Sequence, residues 1–324
     1  MEDVFRIFNQ YYNDPAFRGF QNDLSAKVYE VLARAYKNGD NEVKIVTDMC
    51  AAIDGTKYDR LKLFSTKIHG SRSYVEFYNK TEMTSKELAD MIIISVVTEN
   101  KNIVFEKTAF VQNKKESGLD HWAIDLDQLY LLKNFPTFKG TKGLVKKTFS
   151  GNVIFLNHSG ALGNYGFFQA PGEMILANAE IVNRVKNNSS LHLHDLLSKE
   201  SIFISSQSFN CYIERDSYAY HLWHRLVREY PASIHDIGLP FLNRSGASFD
   251  IHEFIRNLTL FNIGELVADF DMVRDVNLSS FTQRLLHAAG LGRVINLNVD
   301  GDDFGDDDYI VLVAHIEIAG DTGG

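Results

Sequence analysis

The chain has little cysteine, little proline and no long apolar run. Its two cysteines, Cys50 and Cys211, lie far apart in unrelated contexts among 324 residues. That excludes a disulfide framework and a cysteine-based zinc motif and fits a reducing compartment. Both read as small buried residues. Five prolines, 22 glycines and 23% charged residues name no special compositional class. The longest aliphatic runs, such as MIIISVV, are far too short to span a bilayer, and MEDVFRIFNQ lacks the basic start and apolar core of a signal peptide. The expectation is a cytoplasmic protein with no membrane partner.

A surplus of basic charge is missing too. The net charge of -9 argues against indiscriminate nucleic-acid binding, which needs a broad basic surface to displace counterions. Any DNA contact must be local. The charge is unevenly spread: DGDDFGDDDY concentrates acid near the C-terminus, whereas LLKNFPTFKGTKGLVKK carries five lysines and no acid.

What is present is core material, 45% hydrophobic and 12% aromatic residues, enough for one large domain or two ordinary ones. NDLSAKVYEVLARAYKNG predicts a helix, with Leu24, Val28, Val31, Leu32 and Ala35 on one stripe, Asp23 or Ser25 as N-cap, and Asn38-Gly39 at its end. NEVKIVTDMCA reads as a strand, and YDRLKLFSTKIHGSRSYVEFYN as one or two more. TSKELAD reads as a helical start leading into two antiparallel strands, Asp90 to Thr98 and Ile103 to Lys115. WAIDLDQLYLLKNF is a helix closed by Pro136, NVIFLN and YGFFQAP are short strands, and GEMILANAEIVNRVKN is a helix. Further on, SYAYHLWHRLVREY and DIHEFIRNLTLFNIGEL read as helices, and RVINLNV and YIVLVAHIEIA as strands. The fold class is mixed α/β. VKNNSS suggests a boundary near residue 185, with an α+β region over 186–324, although one continuous domain remains open.

The chemistry concentrates at one end of the hairpin. If the chain turns around Lys101, Asp90 stands directly across from Gln112. Side chains two apart share a face of a strand, so Gln112 and Lys114 point to the side of Asp90. A carboxylate, an amide oxygen and an ammonium then converge. A register slip of one residue would split them across two faces. A carboxylate with a neighbouring oxygen donor can hold Mg²⁺, the main-chain carbonyl of Asn113 can add a ligand, and a lysine beside the metal serves phosphodiester hydrolysis. The structural alternative has Asp90 capping a strand, Gln112 pairing across the hairpin and Lys114 snorkelling to water.

With Asp90 opening DMIIISVV and with FVQNKK carrying Gln112 and Lys114, the chain resembles the PD-(D/E)XK, or restriction-endonuclease-like, nucleases in their Gln-x-Lys variant. The likeness covers roughly residues 20 to 180. It implies a core of a mixed central sheet flanked by helices over 1–185, and a DNA endonuclease dependent on Mg²⁺ (or Mn²⁺), such as serves prokaryotic defence against foreign DNA. Asp90 would be the metal ligand, Gln112 the second-motif residue and Lys114 the catalytic lysine. Family members often add an acid from the first helix, for which Glu30 is the candidate. Glu30 lies away from the apolar stripe, and Glu87, on the approach to Asp90, is preferred. Ala89 stands where the family pattern has proline, and Gln112 stands where it has an acid, which removes charge from the metal site. The alternative is a catalytically degenerate DNA-binding or protein-interaction subunit, with a partner protein or a second copy docking on the C-terminal region.

Lys115, Lys139, Lys142, Lys146 and Lys147 are the candidate phosphate contacts. Other motifs read as structural. His192 and His194 in LHLHDLL, and His221 and His224 in YHLWHR, lack a third ligand at a recognisable spacing. HSGALGNYGFF lacks the ending of a phosphate loop and reads as a tight hairpin loop that could touch DNA. DGDDFGDDD lacks the closing glutamate of a calcium loop.

Overall fold

The stripe through Leu24, Val28, Leu32 and Ala35 does form a helix, but it begins well before Asp23 or Ser25. In the computed structural model, which describes residues 2–68, 73–116, 121–196, 247–269, 272–297 and 309–318, the cap is Asp14, whose carboxylate accepts from the Ala16 amide at 2.8 Å. Pro15 follows at the first helical position, where a missing N–H costs nothing. Gly39 ends the helix at φ 73°, the left-handed cap that the sequence predicts.

Three helices open the chain: α1 (Glu2–Asn13), α2 (Pro15–Asn38) and α3 (Glu42–Ile53). Strands follow as β1 (Lys57–Tyr58), β2 (Leu61–Ile68), β3 (Tyr74–Asn79), β4 (Glu82–Glu87), β5 (Met91–Glu99), β6 (Asn102–Lys115) and β7 (His121–Ala123). Next come α4 (Leu126–Asn134), β8 (Phe138–Gly140), α5 (Gly143–Thr148), β9 (Asn152–Val153), β10 (Gly163–Gln169), β11 (Glu173–Asn178), α6 (Ala179–Val185), β12 (Ser190–His192) and α7 (Leu193–Leu196). Beyond residue 246 lie β13 (Ala247–Ser248), α8 (Ile251–Thr259), β14 (Glu265–Asp269), β15 (Met272–Val273), α9 (Val276–Ala288) and β16 (Tyr309–Ile318).

Among the described residues a mixed ten-stranded sheet runs β1-β2-β16-β5-β6-β10-β11-β13, with β14 joined to β6 and β15 to β14. At its centre β5 lies parallel to β16 and antiparallel to β6. Both faces of β5 are buried, which is why MIIISVV is continuously aliphatic rather than alternating. One face packs on residues of α1, α2, α3 and α8. The other packs on α4, α5, α6 and α9 and on the small sheet β4-β3-β8-β9. Strands from both sides of residue 185 pair within the large sheet, since β16 sits between β2 and β5.

Several expected elements differ. NEVKIVTDMCA is helix α3, not a strand. Its buried residues Ile45, Val46, Met49, Cys50 and Ile53 follow the helical period, and the Asn41 side chain caps it by accepting from the Lys44 amide at 3.0 Å. β-branched content favours a strand there, and packing on the sheet overrides it. TSKELAD is no helix but overlaps strand β4, which pairs with β3 from Asn79↔Glu82 to Tyr74↔Glu87; its partner lies across a turn, outside the reach of local capping signals. In GEMILANAEIVNRVKN the first residues form β11, and Asn178 then caps α6 by accepting from the Ile181 amide at 2.9 Å. The helix at DIHEFIRNLT stops at Thr259 and GEL enters β14. WAIDLDQLYLLKNF starts as β7 before Asp125 caps α4. RVINLNV starts in a short 3₁₀ turn, Leu291–Arg293, with no strand over the described residues that follow.

HSGALGNYGFF is not a hairpin loop. It leads into β10, which runs parallel to β6 after the α4 crossover. Gly163 lets the two elements touch: a Cβ there would stand 1.9 Å from the Leu132 carbonyl oxygen. Gly163→Ala must push α4 away from the sheet and is expected to cost about 3 kcal/mol in urea unfolding. An unchanged midpoint would mean that the α4 crossover tolerates the displacement.

Cys50 is buried, and burial pushes its thiol up to about 12. Cys211, His221, His224, the SYAYHLWHRLVREY helix and DGDDFGDDD lie outside the described residues. Among the described residues, no helix is long and apolar enough to cross a membrane.

Candidate active site

The β5–β6 hairpin decides whether the predicted constellation exists. Its turn is Asn100-Lys101, both at positive φ (51° and 66°), between the paired Glu99 and Asn102. The register then shifts beside Val97 and Thr98, which places one extra residue on β6. From there to the far end, Val97↔Phe105 through Met91↔Val111, the pairing is regular. The next pair in that register is Asp90 and Gln112.

The contacts agree. The Asp90 amide donates to the Val111 carbonyl at 3.1 Å. One oxygen of the Asp90 carboxylate accepts from the Asn113 amide at 2.8 Å and from the side-chain nitrogen of Gln112. A carboxylate only accepts, so the Gln112 nitrogen must face Asp90 and its oxygen must face elsewhere. Asp90, Gln112, Asn113 and Lys114 all line one cavity of about 300 Å³ at the end of the sheet. Glu87 lines it as well, while its main-chain oxygen accepts from Gln128 at 3.1 Å.

Two charged residues of the cavity were not singled out in the sequence. Glu42, in the first turn of α3, lines the wall facing Asp90's strand and accepts from the Lys115 amide at 2.7 Å. Reading α3 as a strand hides it; the helical spacing of Ile45, Val46 and Met49 is the signal that could have revealed it. Lys67, near the end of β2, also lines the cavity. Nothing local marks it, because β16 brings β2 alongside only in three dimensions.

The Asn113 side chain is buried at 1% exposure, and neither its oxygen nor its nitrogen has a hydrogen-bond partner. It leans over Gly166 on β10, where a Cβ would lie 2.5 Å from its Oδ1. Tyr165, opposite Gln112 on β10, is buried with its phenol pushed far up by burial and further by the charges of Asp125 and Asp90, so it stays neutral.

The remaining predicted residues lie outside the cavity. Lys115 turns to the opposite face from Lys114: its ammonium donates to the Asp40 carbonyl at 2.6 Å and sits 5.1 Å from the centre of the Tyr36 ring. It ties β6 to the α2–α3 junction. Glu30 is exposed on α2. Lys139 is exposed on β8, and Lys146 and Lys147 are exposed in the last turn of α5. Lys142 stands at the N-cap position of α5, without a side-chain capping bond, and lies 5.5 Å from the centre of the Tyr74 ring. Tyr74 itself pairs with Glu87, a residue of the cavity.

The histidines gain a neighbour that the sequence conceals. His121 on β7 pairs with His192 on β12, with ring centres 5.7 Å apart, and His194 stacks on His192 at 5.4 Å. Among the described residues, no group of three or more His, Cys, Asp or Glu side chains is arranged to hold a metal ion.

Comparison with protein-family models, with curated proteins and with solved structures returned no match. The functional reading therefore rests on the cavity itself.

Proposed function

We propose that this chain is a Mg²⁺-dependent DNA endonuclease with a restriction-endonuclease-like core. The observation that carries the reading is the meeting of Asp90, Gln112 and Lys114 in one cavity at the end of a hairpin in regular register.

The donors suit a hard cation. Mg²⁺ takes one or two carboxylates and keeps several waters, so a set of two or three oxygens suffices without a larger acidic cluster. Asp90 supplies the carboxylate, and Gln112, whose nitrogen is committed to Asp90, has its amide oxygen left to offer. The buried unpartnered amide of Asn113 in the same wall marks a polar lining that the protein's own contacts leave incomplete. The charge balance agrees: Glu42, Glu87 and Asp90 outnumber Lys67 and Lys114, so a polyanion enters favourably only with a divalent cation in place. When bound, Mg²⁺ supplies Lewis-acid polarisation of the phosphoryl oxygen and a more acidic water. Lys114 orients the attacking water and stabilises charge growing on the phosphate. Asp90 anchors the donor set by fixing the Gln112 amide and the Asn113 backbone.

Incubating the protein with plasmid, linear duplex, single-stranded DNA and RNA, with and without Mg²⁺, tests the reading. Mg²⁺-dependent breakage of DNA is expected. Asp90→Asn, which keeps the shape and an acceptor for the Asn113 amide, should remove it while the circular dichroism spectrum is unchanged.

The Gln112–Asp90 hydrogen bond favours a second reading, because it engages the Asp90 carboxylate without metal. In that case the chain is a chemically silent DNA-binding or protein-interaction subunit. Calorimetric titration with Mg²⁺ or Mn²⁺ separates the two: only the nuclease gives binding heat that Asp90→Asn abolishes.

A further inference from the structure

Lys67, Ile310, Met91 and Val111 stand in one line across β2, β16, β5 and β6. Lys67 is thus two strand spacings, about 10 Å, from the strand that Asp90 precedes. Alternation along β2 puts it on the face of Leu61 and Leu63, toward α3. It is exposed and lines the same cavity as Asp90 and Lys114.

With Lys114 it is one of the two lysines that line this cavity, and its charge is available. Lys86 is tied to Asp125, Lys133 to Glu180 and Lys115 to the Asp40 carbonyl. Among the described residues, no ion pair engages Lys67. Ile310 stands between Lys67 and the strand that Asp90 precedes, and Val43 and Val46 of α3 add apolar lining to the same cavity beside the acidic Glu42. A cation, an apolar strip and a second charged group then follow one another across the end of the sheet. A nucleic-acid backbone has the matching alternation of phosphate, sugar and phosphate.

We propose that Lys67 is a positioning residue that holds a phosphate neighbouring the one that is cut, so that the backbone crosses the sheet end from β6 toward β2, with a sugar over Val43 and Ile310. This rests on the nuclease reading above. Lys67 contributes the same interaction to ground and transition states, so its loss weakens binding rather than chemistry.

The test uses Lys67→Ala and Lys67→Arg in the full chain, with a short fluorescein-labelled DNA duplex. Lys67→Ala is expected to raise KM about tenfold with kcat within about twofold of wild type. With Ca²⁺ replacing Mg²⁺, the slope of log affinity against log salt should lessen by about 0.9, the signature of one lost phosphate contact. Lys67→Arg should restore both. Wild-type KM and salt slope in Lys67→Ala, with cleavage intact, overturn the Lys67 assignment and leave the nuclease reading standing. No binding and no cleavage by the wild type overturn both.

Discussion

Lys114→Ala is expected to lower Mg²⁺-dependent DNA cleavage by a factor on the order of 10²–10³, the usual cost of removing a group that meets developing charge. The fold should be unaffected. Lys114 takes its place in the sheet through its backbone, in register with Phe167 of β10, and its side chain is half-buried at the cavity. Truncation removes an ammonium and a stem from the cavity wall, a change expected to stay within about 0.5 kcal/mol in stability. Lys114→Arg is the sharper probe, because a planar guanidinium keeps the charge without the compact, rotatable donor geometry of an ammonium. It should recover only part of the rate. Metal-binding heat should persist in both variants, since Asp90 and Gln112 are untouched. Equal cleavage by wild type and Lys114→Ala would sink the catalytic assignment.

The second large effect is on stability against pH. Glu106 on β6 is fully buried. Its carboxyl accepts from Thr282 and, at 3.4 Å, from Ser279, both on α9. Burial pushes it up to about 7 from an ordinary 4.5, with the nearby Asp275 adding to the rise and the hydroxyls opposing it. Below pH 4.5 both folded and unfolded chains hold the proton, and the group makes no difference. As pH rises through 7 the unfolded chain has released its proton freely, and the folded chain must either keep it or bury a charge. Stability is therefore lost over that window, by roughly 3 kcal/mol at most. Glu106→Gln resembles the protonated acid and never ionises. Its urea midpoint should match wild type near pH 4.5 and exceed it at pH 8.

The comparison of variant with wild type is essential, because His315 acts in the opposite sense. Buried beside Thr98, with a ring nitrogen 2.8 Å from the Thr98 hydroxyl, it is held down to about 4, foremost by burial. Its contribution is complete above its ordinary 6.5 and is lost as pH falls toward 4. Only the difference between wild type and Glu106→Gln isolates the glutamate. Parallel pH curves for the two proteins would mean that Glu106 is ionised in the fold.

The legible parts of the sequence were those whose signal is local. The aliphatic run of β5, the hairpin turn at Lys101 and the Gly39 cap each depend on neighbours in the chain. The Asp90–Gln112 register followed from a turn placed at Lys101, and the structure shows why a small error there did no harm. The turn centres on Asn100-Lys101, and the extra residue on β6 restores the pairing before the functional end is reached. Elements whose identity depends on packing beyond their own segment were misread. Helix α3 has β-branched residues that suit a strand, and it becomes helical against the sheet. Strand β4 carries caps that suit a helix, and β3 recruits it.

The candidate site divides in the same way. Asp90, Gln112 and Lys114 were reachable from sequence because one hairpin carries all three, and the two-residue period of a strand fixes their common face. Glu42 and Lys67 arrive on α3 and β2, separated from the hairpin by elements whose packing no local pattern encodes. Lys115, expected as a phosphate contact, shows a related effect: its charge is visible in the chain, but the Asp40 carbonyl and the Tyr36 ring that it touches are not. The sequence by itself determined a mixed α/β chain, its central hairpin and the polar triplet at one end. Only the tertiary structure decided that the triplet opens into a cavity, because a cavity is made by surfaces that meet across the sheet, and strand pairing between residues as far apart as Lys67 and Ile310 leaves no mark on either segment alone.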